Sequence, residues 1–329
     1  MTTRRQVLER IGATVAASLL APRLAQADPL EQVRLYYGFP AGSSGDTVTR
    51  RVGERFVGTA YSRNGAVVEN KVGAGGRIAL DALKAAPADG SVMTLSPVSC
   101  LSIYPLIYPT LGYQPRDFVP VSMAAITHHG LAIGPMVPAS VRTVREFLAW
   151  CKANPGQAAY GSPGAGSEPH FLGALLGLNS GTDLRHVPYR GSVPGVTDVV
   201  GGQVAAMITP HGDFITNHKA GRLRIIATTG PKRSPFVPDV ATFAEQGFPE
   251  LTTEEWFGFY APARTPQPVL AAANQAIAAA LNDRAVIESL NVVGLIPRAT
   301  SLAETAAALQ ADMEYWAPHV KRVGFTGES

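Results

Sequence analysis

The chain has 329 residues, 46% of them hydrophobic and 16% charged, with a formal net charge of +3. That length can bury two cores, and no low-complexity tract argues against a globular protein. The small charge, with no basic run interleaved with aromatics, argues against a nucleic-acid partner.

Residues 1–27 read as an export signal. Arg4-Arg5 heads a weakly apolar run from Ile11 to Ala21, and Ala25-Gln26-Ala27 supplies a small-x-small cleavage site. The paired arginines, the dilution by Gly12, Thr14 and Ser18, and Arg23 near the cut point to twin-arginine export. The run is shorter than the roughly twenty apolar residues of a membrane span. The mature chain is therefore expected in the periplasm.

Val33 to Tyr37 reads as a buried strand that breaks at Gly38-Phe39-Pro40. It reopens as a helix with Val48, Val52 and Phe56 on one face. Between them Ala41, Gly42, Ser43, Ser44 and Gly45 leave the backbone N–H groups uncovered. A helix start carries unpaired N–H groups and partial positive charge, so this junction suits an anion. A second strand, Ala66 to Asn70, meets Gly73-Ala74-Gly75-Gly76. That loop lacks the third glycine and the following acidic residue of a dinucleotide fingerprint. Strand Val92 to Leu95 completes an alternation that predicts an α/β protein with a mainly parallel sheet under helices.

A crossing to a second domain is expected near Thr127-His128-His129-Gly130. Thr143 and Glu146 form a capping-box pair for the next helix. Gly161 to Ser167 then repeats the opening device, between strand Gln157–Tyr160 and a helix through Phe171, Leu172, Leu175 and Leu176. Further strands fall at 184–188, 204–208, 223–228 and 256–260, and long helices at 268–290 and from Leu302, the latter capped by Ser301 and Glu304. Cys100 and Cys151 share no spacing signature, and two buried free thiols are expected. The adjacent His128 and His129 cannot put both rings on one face of a strand, so no metal site is expected, nor any cofactor.

Two bare junctions, one in each half, are the ingredients of a cleft that holds an anion between lobes. A carboxylate fits so neutral a cradle better than a polyphosphate, which calls for a Lys or a metal. Each hydrogen bond to a charged group contributes roughly 1.5–3 kcal/mol, and micromolar affinity needs about 8 kcal/mol.

Several motifs carry a resemblance. Gly38 to Asp46 (GFPAGSSGD) resembles the P-F-P-A-G-G-x-x-D motif of the Bug family, the periplasmic receptors of tripartite tricarboxylate transporters. VVENKVGAGG (67–76), Ser162 to His170, HVPYRG (186–191), Pro238 to Gly247 and Trp256 to Pro266 are similar to further family motifs in the same order. The resemblance spans almost the whole mature chain. It implies a two-lobed type II periplasmic-binding-protein fold, with lobe 1 at 28–125 plus 224–329 and lobe 2 at 126–223. It implies a monomeric receptor that takes a small organic acid to membrane permease subunits. Carried over by position, the acid's carboxylate would meet Phe39, Ala41, Gly42 and Ser43 on one lobe, and Ser162, Ala165, Gly166 and Ser167 on the other. Asp46 is expected to order its loop instead of touching an anion. The distal pocket is expected from His128, His129, Thr209, His211 and Tyr37. Ser43 departs from a usual glycine and Thr209 from a frequent Asp. Two rival readings are a sensor that reports to a membrane kinase and a serine hydrolase using Ser162 or Ser167 with His170. The hydrolase lacks a G-x-S-x-G elbow.

Overall fold

The computed structural model describes residues 28–327, so the expected export signal lies outside the described residues. Val33–Tyr37 (β1) leads through the first bare loop to helix α1 (Ser44–Glu54). Ala66–Asn70 (β2), Arg77–Lys84 (α2) and Val92–Pro97 (β3) follow, then the short helices Ser99–Ser102 (α3) and Tyr104–Ile107 (α4). The chain then passes between two sheets without a linker, because Phe118–Thr127 (β4) continues directly into His129–Ile133 (β5). Val144–Ala153 (α5), Ala159–Ser162 (β6), Glu168–Ser180 (α6), Arg185–Pro188 (β7) and Ser192–Val200 (α7) build the second half. Ala206–Pro210 (β8), Ile215–Lys219 (α8) and Arg224–Thr228 (β9) complete it. Glu255–Pro262 (β10) returns to the first sheet, and Gln267–Leu281 (α9), Arg284–Val292 (α10), Ile296–Pro297 (β11) and Leu302–Val323 (α11) close the chain.

One sheet has the order β11-β4-β10-β3-β1-β2, the other β7-β6-β8-β5-β9. Both are mixed, where a mainly parallel arrangement was expected. β1 runs parallel to β2 and β3, and β6 to β7 and β8. The strands next to the crossings run the other way: β10 is antiparallel to β3 and β4, and β5 to β8 and β9. A strand that arrives from the other sheet enters from the far end, so it opposes the βαβ units it joins.

Arg224–Thr228 corrects the expected boundary at 224. It pairs with β5 and belongs to the second sheet. The long helix expected over 268–290 is two helices, because Asp283 accepts from the N–H groups of Ala285 (2.9 Å) and Val286 (3.1 Å) and starts α10 afresh. Both expected capping boxes form, at Thr143 with Glu146 and at Ser301 with Glu304. Cys100 and Cys151 are buried and free. The C-terminal segment straps the halves together: Trp316 packs 6.1 Å from Phe171, and Phe325 stands edge-on to His170 at 4.6 Å.

Candidate functional site

The ends of β1, β3 and β8, the start of β10 and the starts of α1, α6 and α7 converge on one narrow cavity between the sheets. It measures about 40 Å³, room for a few water molecules.

Phe39, Ser43, Ser44 and Gly45 bring the first corner to it. Ser43 caps α1 in an extended conformation, and its own N–H reaches the Pro40 carbonyl (3.4 Å). Gly45 is a glycine because the Tyr37 phenol lies over it: a β-carbon would come within 2.2 Å of the Tyr37 hydroxyl. Asp46 orders the loop as expected. Its carboxylate accepts from Gly42 N (3.0 Å), Arg50 Nε (3.0 Å) and Asn70 Nδ2 (2.8 Å). The two side chains and the backbone N–H hold it below the usual carboxylate range against the opposing effect of burial.

Pro163, Ser167 and Pro169 bring the second corner. Its backbone is turned inward. Gly166 N donates to His170 Nδ1 (3.1 Å), and Ser167 Oγ to the Gly164 carbonyl (2.7 Å). Ser162 Oγ also donates to Gly164 (2.9 Å) and lies 2.7 Å from His186 Nε2. The His170 and His186 rings stack at 3.8 Å. Burial lowers the pKa of His170 to about 4; burial and the neighbouring His170 lower that of His186 to about 3.

Of the residues expected to bind ligand, Phe39, Ser43, Ser167 and Thr209 line the cavity, as does Tyr37. Ala41, Gly42, Ser162, Ala165, Gly166 and His128 are not among its lining residues. Gly42 gives its N–H to Asp46, the Ala165 carbonyl accepts from Tyr108 Oη (2.9 Å), and Ser162 and Gly166 serve their own loop. His128 instead faces Glu254, with Nε2 2.9 Å from its carboxylate, and His211 bonds Ser234 and the His128 carbonyl.

Among the lining residues that the sequence left unassigned, three bear on the chemistry. Ser192 starts α7 and forms a third strand-loop-helix corner, which HVPYRG announced without being assigned to the site. Glu255 enters from β10 and accepts from Ser99 Oγ (2.6 Å). Asp213 is the third. Its carboxylate accepts from Ser44 N (3.0 Å), Ser44 Oγ (2.6 Å) and Thr209 Oγ1 (3.2 Å), so a carboxylate already sits on the first-turn donors of α1. Desolvation pushes its pKa up against these hydrogen bonds. Nothing in its local sequence marks it, since the contact spans the two sheets.

Two α/β halves, joined at crossing strands and shut over a cavity edged by helix N-termini, define a type II periplasmic solute-binding protein. The comparisons with known proteins make the class specific. The family model described as tripartite tricarboxylate transporter family receptor matches residues 61–325. Protein BugT of Bordetella pertussis is 33% identical over 97% of this chain and 98% of its own length. The structure of Rpa4515 from R. palustris with adipate superposes with a TM-score of 0.84 at 28% identity, covering 91% of this chain and 99% of that one. MatC of Rhodopseudomonas palustris with bound malate gives 0.82 at 25% identity, covering 89% and 99%. The chain belongs to the tripartite tricarboxylate transporter receptor family. It is a periplasmic solute-binding receptor and not an enzyme.

Proposed function

We propose that this receptor closes its two lobes over a small organic acid and carries it, as a monomer, to membrane permease subunits of a tripartite tricarboxylate transporter. The lobes we assign are 28–127 with 255–327, and 128–254, following the two sheets. The observation that carries the reading is the Asp213 carboxylate docked on Ser44 at the start of α1. Donors that hold one carboxylate across the cleft are suited to another. Phe39, Ser43, Ser44, Ser167, Ser192 and Thr209 are the proposed contacts, with Tyr37 and Phe257 as the apolar wall. Relatives whose structures hold adipate and malate support a dicarboxylate.

The test is a thermal-shift screen of mono-, di- and hydroxydicarboxylic acids, followed by calorimetric titration. A ligand at a hundred times its dissociation constant stabilises the folded state by about 2.7 kcal/mol. At least one acid is expected to do so, and Ser44→Val is expected to weaken that acid about tenfold or more. If no acid shifts the melting temperature while an amine or a sugar does, the reading is overturned. Pull-down of the cognate permease with acid-loaded receptor, and light scattering of the purified chain, check the partner and the monomer.

A further inference from the structure

Three buried donors meet where the two sheets adjoin, and two of them, His129 and Glu168, have no part in the acid site. His129 opens β5, Glu168 is the first residue of α6, and Glu255 opens β10, so both sheets contribute. They are 0%, 0% and 3% exposed. His129 Nε2 lies 3.1 Å from Glu255 Oε2 and 3.6 Å from Glu168 Oε1, and one donor atom of each residue falls within 4.8 Å of the other two. Yet Nε2 makes no hydrogen bond, although 3.1 Å is within reach; the ring is not aligned on either carboxylate oxygen. Nδ1 of the same ring and Oε2 of Glu168 also lack partners among the described residues.

We propose that His129, Glu168 and Glu255 form a binding site for one divalent cation of the Zn²⁺ class, set in the hinge between the lobes. Spacing, charge and donor chemistry all fit such an ion. A tetrahedral ion with bonds of about 2.1 Å separates its ligand atoms by about 3.4 Å, and the separations of 3.1 and 3.6 Å bracket that value. Two carboxylates in a dry interior are costly until they are neutralised; a dication with a neutral imidazole brings the cluster to zero charge. The donor set of one imidazole nitrogen and carboxylate oxygens suits zinc, whereas magnesium and calcium prefer oxygen alone. The ligands are also braced from outside: Ser99 Oγ donates to Glu255 Oε1 (2.6 Å), Thr253 Oγ1 to Glu168 Oε1 (2.9 Å), and His129 N to Thr229 Oγ1 (3.0 Å). His128 takes no part, since its Nε2 faces Glu254 at 2.9 Å.

An ion here does two things. It ties β5 and α6 of one lobe to β10 of the other at the pivot. It also cancels the charge of Glu255, which lines the acid cavity, and so removes a repulsion that an incoming carboxylate would otherwise meet.

The experiment uses the full chain without a histidine tag, stripped with a chelator and titrated with Zn²⁺ alone. Bound metal is counted by elemental analysis after equilibrium dialysis, and melting is followed by calorimetry. One equivalent of Zn²⁺ and a higher melting temperature are expected, with no shift from Mg²⁺ at the same concentration. His129→Gln and Glu168→Gln are each expected to lower Zn²⁺ affinity about tenfold or more, with circular dichroism reporting whether they fold. A wild-type chain that takes up no zinc at about 100 µM, a concentration that fills a site of about micromolar affinity, overturns the proposal. So does a folded variant that keeps one tightly bound equivalent. Should a variant fail to fold, X-ray absorption of the zinc-loaded wild type decides: one nitrogen with oxygens supports the site, and a shell of sulfur or of several histidines sinks it. Acid binding is titrated separately, so either result leaves the receptor reading standing or falling by its own test.

Discussion

Gly166 has φ +80°, and a β-carbon on it would come within 2.2 Å of Ile107 Cδ1 on the far side of the cleft. A side chain there meets two penalties, one local and one between the lobes. The left-handed backbone costs an L-residue about 1–2 kcal/mol, and the clash acts on the closed form. Gly166→Val is therefore expected to hold the lobes apart. Its scattering profile should show a larger radius of gyration, and acid affinity should fall about tenfold or more, since only the closed state binds tightly. A variant with wild-type dimensions would show that Ile107 simply moves aside. The stacked histidines behind this loop make a second prediction at the same scale. The pKa values of His170 and His186 are depressed to about 4 and about 3, and that of His211 to about 4, mainly by burial. An unfolded histidine titrates near 6.5, so between that pH and about 4 the unfolded chain binds more protons. Stability is then full above pH 6.5 and drains as the pH falls, by up to about 1.4 kcal/mol per pH unit for each group. His186→Gln should remove about one proton from the slope, read from denaturant unfolding at several pH values. An unchanged slope would mean that His186 stays protonated in the fold. At this scale the sequence showed where a motif would fold into a tight corner, hence Phe39, Ser43 and Ser167. It could not show which N–H groups of the corner are already used, because the acceptors Asp46 and His170 lie one helical turn further on.

Helix ends were legible when the signal is local. Thr143 and Glu146, or Ser301 and Glu304, stand three residues apart, and the reciprocal bonds form in both places. The break between α9 and α10 was missed because the apolar pattern runs on through Leu281 to Val286 and Leu290, all buried on one side. Asp283 overrides that pattern with a single carboxylate, and Arg55 at the end of α1 pairs with it at 3.1 Å. Asp283→Ala is expected to cost about 1 kcal/mol, the usual worth of an N-cap. That is about 1–2 °C of melting temperature for a protein of this size. Arg55→Ala should cost less, because the exposed ion pair is worth only a few tenths of a kcal/mol. Differential scanning calorimetry separates the two; equal losses would assign the effect to the ion pair. Strand direction was illegible for a related reason. A run such as Val119 to Ile126 reads the same in either sense, and only the passage of β4 straight into β5 makes it antiparallel to β10.

Across the whole molecule the lobes meet over a narrow cavity of about 40 Å³, a tight fit for an acid of several carbons, so uptake is expected to part them. Asp213 is one tie between them at the cavity itself, reaching from the second lobe to Ser44 N and Oγ on the first. In the function proposed above the acid takes over those donors and then shares the cleft with the displaced carboxylate. Two anions in so dry a space repel, and the repulsion is relieved when Asp213 takes up a proton. Because desolvation raises the pKa of Asp213, that proton becomes available at a higher pH than for a free aspartate. Acid binding should therefore strengthen as the pH falls from 8 towards the ordinary carboxylate range, until the ligand itself is protonated. Asp213→Asn removes the charge and keeps an acceptor for Ser44. It is expected to bind a monocarboxylate more tightly at pH 8, by about tenfold or about 1.4 kcal/mol, and to show a flatter pH profile. Isothermal titration of both proteins across that range makes the comparison. A large loss of affinity in Asp213→Asn would instead make Asp213 a direct partner of the ligand, one that recognises an ammonium or hydroxyl group at the acid's other end.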